Sequence, residues 1–209
     1  HARLRCDWSS DVCSSDLFGL ELPVPGLHNA RNAASAAAVA VLAGAAPEAV
    51  ASALARFGGV ARRFEHRGQA AGVVLVDDYA HLPTEVGAVL ATARSGGFAR
   101  VVAVFQPHRF SRTEALWSSF GGAFDDADVL YVTDVYPSGE APRPGVSGRL
   151  VADAVLRDRP GADVRYVARR EDLLDALVGE LRDGDLCLTM GAGDLTAVPD
   201  QLRARLGAS

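Results

Sequence analysis

From residue 73 onward the sequence predicts an α/β fold, an open, mostly parallel sheet with helices on both faces. Three observations predict it. Five strand-like and helix-like segments alternate in series, as βαβ units do. The strand-like segments are nearly unbroken apolar runs, as strands buried on both faces require. The polar residues that composition does not explain fall just after those runs, where such sheets bind ligands.

The elements follow in order. FGLELPVP, from Phe18, alternates apolar and polar residues and reads as a short strand. GLHNARN leads into an alanine-rich helix, Ala33 to Ala43, closed by Gly44. Pro47 opens a second helix at the position proline favours, running to Phe57 before Gly58 and Gly59 end it. GVARRFEHRG is polar and basic and reads as a hinge between a unit over 18–60 and another over 61–209. VVLVDDY is the first strand of the alternation, followed by a helix that Pro83 starts. RVVAVFQ is the next strand. The helix after it, SRTEALWSSFGGAF, carries a predicted capping box between Ser111 and Glu114. The pairs DVLYVTDVY with SGRLVADAVLRD, DVRYVA with REDLLDALVGELR, and DLCLTM with DLTAVPDQLRARL complete the series, the last helix interrupted near Pro199.

The bulk numbers are ordinary. The 209 residues are 49% hydrophobic and 22% charged. A net charge of −5 argues against non-specific nucleic-acid binding. No apolar run reaches the roughly 18 residues of a membrane helix, and the first stretch has no signal-peptide core. Three cysteines without metal-ligand spacing suit a reducing cytosol and predict no metal site. All 21 basic residues are arginine, so no G-x-x-x-x-G-K-[ST] phosphate loop exists here. Asp7 to Leu17, DWSSDVCSSDL, resembles a translated sequencing adapter. Residues 1–17 are therefore expected to be a non-native tail without a fold, with the protein's own sequence starting near Phe18.

The ligand edge gathers Asp77, Asp78, Tyr79 and His81 after one strand, and Gln106, His108, Arg109 and Arg112 after the next. Asp134 and Tyr136 follow the third, and Gly191, Gly193 and Asp194 the last. Each has a plainer reading. One of the two aspartates, which point to opposite faces, can cap a turn. His81 can be a surface or core residue. Arg109 and Arg112 can pair with solvent or nearby acids, or converge at a helix start to grip a carboxylate. The glycines can form a tight turn. Trp117 reads as core.

Six segments carry a resemblance: GLHNARNAASAAAVAV, GVARRFEHRG, VDDYAHLPTEV, VFQPHRFSRT, DVYPSGEAPRPG and TMGAGDLT. Together they resemble the Mur ligases. QPHRFSRT and VYPSGEAP favour the alanine-adding type. The resemblance implies a Rossmann-like C-terminal domain over 61–209, preceded over 18–60 by the tail of a central ATPase domain. It implies ATP with Mg2+, the metal's ligands lying mainly upstream. The implied reaction joins L-alanine to UDP-N-acetylmuramate through an acyl phosphate, in the cytoplasm. Asn29 and Asn32 would contact adenine, although Asn32 could instead cap a helix. Arg63 would reach the ATP phosphates and Asp78 the ribose hydroxyls, with His81 near the phosphates. His108, Arg109 and Arg112 would position the amino acid and the muramoyl end. Leu82 departs from the family, which usually has a second histidine there. A murein-peptide ligase and a non-catalytic nucleotide- or precursor-binding module are the alternatives on the same scaffold.

Overall fold

The computed structural model describes residues 2–5 and 19–207. They form two compact units, which meet in sequence between Val60 and Ala61.

In the first unit, strand β1 (Ala2–Arg5) pairs antiparallel with β2 (Gly19–Leu22). Ala2–Arg5 is thus paired within the stretch expected to be disordered or incidentally packed. A lone β2 would leave a row of backbone donors and acceptors open, and pairing fills it. The adapter-like stretch 7–17 lies outside the described residues. Helix α1 (Leu27–Leu42) starts six residues before the predicted Ala33, behind Gly26 at φ 101°. No breaker separates Leu27 from Ala33, so the alanine run propagates backward. Asn32 therefore lies inside the helix and does not cap it. Helix α2 (Pro47–Ala55) has Pro47 in its first turn, as predicted. Leu20, Ala37 and Val50 form a small core.

The second unit holds a six-stranded sheet. Its strands are β3 (Glu65–Ala70), β4 (Val73–Asp78), β5 (Arg100–Phe105), β6 (Val129–Val132), β7 (Asp163–Tyr166) and β8 (Asp185–Met190). The spatial order is β3-β4-β8-β5-β6-β7. Every neighbour pair is parallel except β3 with β4. The helices are α3 (Pro83–Arg94), α4 (Phe110–Leu116), α5 (Arg149–Asp158), α6 (Arg170–Glu180) and α7 (Val198–Leu206). A 3-10 turn, Trp117–Phe120, extends α4.

One correction concerns an element. The segment read as hinge contains β3, an edge strand turned back onto β4 through Ala71 (φ 48°) and Gly72 (φ 75°). Two left-handed residues make the tight turn that hairpins favour. The last helical segment does break just before Pro199, as expected: a 3-10 turn, Asp194–Ala197, gives way to α7, and Pro199 lies in the first turn of α7, where its missing N–H costs nothing.

Alternate residues of the central strands feed two cores. Val101, Ala103, Phe105, Leu186, Leu188 and Met190 face α3 and α5, and Phe105 packs against Phe120 and Phe124. Trp117 packs on this core, as expected. Val102, Val104, Leu75 and Cys187 face α6 and α7. Among the described residues no helix is long and apolar enough to cross a membrane.

Cys187 is 1% exposed, and burial pushes its thiol up to about 12. Only the thiolate is nucleophilic. Iodoacetamide at pH 8 should therefore leave Cys187 unmodified in the folded chain and alkylate it after unfolding. Peptide mapping by mass spectrometry reads this directly. Equal labelling in both states would refute the buried placement.

Candidate active site

The two ends of the sheet differ electrically. At the amino ends of the strands, Arg100 donates to Glu180 and Asp185, and Arg165 to Asp163, Glu180 and Tyr131. These arginines are matched by acids. At the carboxyl ends, β8 lies between β4 and β5. The chain leaves β4 and β5 toward one face and β8 toward the other. Such reversals open a crevice on both flanks of β8.

At the β4 exit, both aspartates hold the protein together. Asp77 is 1% exposed and accepts from Thr189 Oγ1 and Thr196 Oγ1, each at 2.7 Å, and from Arg62 Nε at 3.3 Å. Asp78 is equally buried. Its oxygens accept the backbone N–H groups of Phe64 and Ala80, each at 2.7 Å. Burial nevertheless raises its pKa above the usual carboxylate value. The sequence reading set aside one aspartate for such work; both do it.

Arg62 closes the bracket, with NH2 donating to the Gly191 carbonyl at 2.6 Å and its guanidinium 4.9 Å from the Tyr79 ring centre. The Arg62 carbonyl accepts from the Tyr79 N–H at 2.7 Å. Arg62 (φ 59°) and Phe64 (φ 47°) both take left-handed backbone. Such strain persists only where surroundings fix it. Between them Arg63 is held outward, its side chain 46% exposed, 5.7 Å over Tyr79 and 3.9 Å from Glu85.

His81 edges onto Tyr79 with ring centres 5.3 Å apart, and onto His108 at 5.9 Å. Glu85 caps α3 by accepting the N–H groups of His81 and Leu82 at 3.1 and 3.3 Å. The backbone of Leu82 is thus satisfied, although its side chain offers no polar atom.

At the β5 exit, the strand pairing continues past the sheet. Tyr136 N–H donates to the Pro107 carbonyl and Arg109 N–H to the Tyr136 carbonyl, at 2.9 and 2.8 Å. This zips the two loops together and stacks His108 on Tyr136, ring centres 5.7 Å apart and 13° from parallel. Arg109 pays for the turn with φ 69°, and its side chain points into solvent. Arg112 NH1 donates to His108 Nδ1 at 3.2 Å. Burial, and then the Arg112 charge, push the His108 pKa down.

The predicted capping box does not form. Glu140, from the loop after β6, accepts both the N–H and the hydroxyl of Ser111, at 2.8 and 2.6 Å. These bonds hold the Glu140 carboxyl below its usual range. Glu114 pairs instead with Arg143. The left-handed Arg109 turns the start of α4 toward Glu140, so a local rule loses to a residue from another loop. α4 is seven residues long, and its first turn is already occupied by that carboxylate.

At the β8 exit, Gly193 is obligatory. A Cβ there would overlap the side chains of Gln106 and Tyr136. Gln106 Nε2 donates to Asp194 at 2.9 Å.

The structure thus brings Arg63, His81, His108 and Arg112 into one connected line, with Arg109 at its end and Asp78 behind it. Asn29 and Asn32 belong to the other unit. There Asn29 Nδ2 donates to the Pro25 carbonyl at 2.6 Å, and Asn32 is exposed on α1. The sequence reading gave no part to Arg62 or Glu140. Arg62 is signalled only by its place beside Arg63. Glu140 is the lone acid of a Pro/Gly-rich loop, which no spacing rule picks out. Among the described residues no group of three or more His, Cys, Asp or Glu could hold a metal ion.

The profile of the Mur ligase, glutamate ligase domain matches residues 62–193. A UDP-N-acetylmuramate–L-alanine ligase of Nitratidesulfovibrio vulgaris is 50% identical over 180 residues, covering 86% of this chain and 39% of that protein. One from Kineococcus radiotolerans is 54% identical over 180 residues, covering 86% and 38%. Among solved structures, the UDP-N-acetylmuramate-alanine ligase MurC of Thermotoga maritima superposes with a TM-score of 0.74 at 29% identity, covering 90% of this chain and 40% of that one. The chain spans about two fifths of the length of the curated relatives it matches.

Proposed function

This chain belongs to the Mur ligase family, and we propose that it forms part of a ligase that joins L-alanine to UDP-N-acetylmuramate, driven by ATP. One observation carries the reading. Arg63, Arg109 and Arg112 lie at the ligand edge along a line of two imidazoles; among the described residues none of them hydrogen-bonds a carboxylate, and Arg63 has Glu85 at 3.9 Å. Every reactant of this reaction is an anion or bears a carboxylate, and cations arranged for such groups work by positioning and charge neutralisation.

The residues divide by place. Arg63, held between two strained neighbours, takes the ATP phosphates. Arg112 and Arg109 take the carboxylate of L-alanine or the muramoyl end, for which a guanidinium fork is suited. Asp78, 1% exposed, anchors Phe64 and Ala80 behind the edge where the ribose hydroxyls would lie. Asn29 and Asn32 meet the adenine edge, where an amide can donate and accept. No group of three or more His, Cys, Asp or Glu among the described residues could hold Mg2+.

The test is phosphate release by the complete gene product, with ATP and UDP-N-acetylmuramate present. Release should depend on L-alanine and not on a tripeptide acceptor. The 209 residues alone should release none, because they contain no lysine and hence no phosphate loop. Preference for the tripeptide, or release independent of either acceptor, would overturn the reading.

A further inference from the structure

The two histidines of the site carry their protons on opposite nitrogens. His81 Nδ1 lies 3.0 Å from the Tyr79 carbonyl oxygen. A carbonyl only accepts, so Nδ1 bears the hydrogen and Nε2 holds the lone pair. His108 is reversed. Its Nδ1 faces Arg112 NH1 at 3.2 Å, and a guanidinium only donates. The lone pair of His108 is therefore on Nδ1 and its hydrogen on Nε2. No hydrogen bond within the described residues engages either Nε2. Nor is either among their buried side-chain atoms without a partner, which are Gln106 Oε1 and Gln201 Oε1. Both Nε2 atoms are thus without a partner among the described residues, on rings centred 5.9 Å apart.

The surroundings make the two rings unequal. His81 has the Glu85 carboxylate 3.5 Å from Nδ1, with Tyr79 and His108 against its ring and Arg63 beyond Glu85. A positive charge on His81 has a carboxylate to face. His108 is buried, with the charges of Arg112 and Arg109 and the His81 ring acting against its protonation and Glu140 favouring it. A positive charge there is opposed. One imidazole is placed to accept a proton, the other to stay neutral and donate a hydrogen bond.

We infer that His81 Nε2 accepts the proton of the attacking amine, and that the neutral His108 Nε2–H donates to the carbonyl oxygen of the acyl phosphate. The inference rests on the ligase reading. In the step, the ammonium of L-alanine gives one proton to His81 Nε2. The freed lone pair forms the C–N bond at the acyl carbon. Negative charge collects on the carbonyl oxygen, facing His108 Nε2–H. The C–O bond to phosphate then breaks, and phosphate leaves with that electron pair. Phosphate takes the proton from His81, and the second amine proton passes to water. Nothing is oxidised or reduced.

The first test uses the chain as it is. Nitrogen-15 NMR of the imidazoles at pH 7.5 should show a protonated Nδ1 on His81 and a protonated Nε2 on His108. The same tautomer on both rings would overturn the inference. The second test uses the complete ligase. His81→Asn keeps an N–H where Nδ1 donates to Tyr79 but removes the proton acceptor. It should lower kcat by at least about a hundredfold, flatten the acidic limb of the kcat/KM profile, and recover in part with added imidazole. His108→Gln keeps an N–H near the position of Nε2. It should lose about tenfold, keep the acidic limb and gain nothing from imidazole. Circular dichroism melts check that both variants fold. An acidic limb preserved in His81→Asn would overturn this inference alone. Absence of L-alanine-dependent phosphate release by the unsubstituted enzyme would overturn the ligase reading, and this inference with it.

Discussion

Replacing Arg112 with alanine in the complete ligase should lower kcat/KM for L-alanine or the muramoyl nucleotide by about ten- to a hundredfold, while KM for ATP moves little. A hydrogen bond between a guanidinium and a carboxylate contributes about 1.5–3 kcal/mol, and about 1.4 kcal/mol corresponds to a factor of ten. The variant has a second signature. Arg112 is the donor that occupies His108 Nδ1 and a charge that opposes protonation of that ring. Its removal should raise the His108 pKa, which an NMR titration of the 209-residue chain can follow. The start of α4 should survive, because Glu140 holds Ser111 whatever residue 112 is. Arg112→Lys should rescue only in part, since an ammonium cannot reproduce the planar fork. If Arg112→Ala weakened ATP alone, Arg112 would belong with Arg63 in the nucleotide site.

The largest stability effect is expected at Asp77. Its carboxylate accepts from two threonine hydroxyls and from Arg62 while 1% exposed. Asp77→Ala would leave a part-buried guanidinium without its counter-charge and two hydroxyls without their acceptor. Removing one member of a buried ion pair costs about 3–5 kcal/mol. For a domain of this size each kcal/mol shifts the melting temperature by about 2–4 °C. Thermal melts of the 209-residue chain should therefore fall by about 10 °C. Asp163→Ala is the matched control. That aspartate is 44% exposed, and Arg165 keeps Glu180. Its loss should cost no more than about 1 kcal/mol. Equal shifts in the two variants would show that Asp77 is an ordinary surface acid.

Legibility in the sequence followed the physics of each element. β5 and β8 are buried from end to end, so their apolar runs reveal both the strands and the sheet type. β3 is different. EHRGQA has no alternation, and it is a strand because its neighbour β4 offers an edge and a two-residue turn folds it back. The polar residues of the candidate edge in the second unit are visible as a set in the sequence, since polar side chains at the ends of apolar runs need a reason. Their partners were not. Asp77 meets Thr189 and Thr196, and Ser111 meets Glu140, across loops that no local spacing joins. Ser111 and Glu114 satisfied the letter of a capping rule, yet the backbone at Arg109 sent each to a different partner. The opposed histidine tautomers depend on one carbonyl and one guanidinium, and only three dimensions supply those.

The place of β8 has a consequence for how the chain is made. Among the described residues, the strand latest in sequence sits in the middle of the sheet, between β4 and β5. Until Asp185–Met190 emerges from the ribosome, β4 and β5 each wait with an apolar, unpaired edge. Long-range parallel pairing of this kind is slow, and exposed edges invite association with other nascent chains. Slower translation or a lower growth temperature should therefore raise the soluble yield, and an early stop before Asp185 should send the product to inclusion bodies.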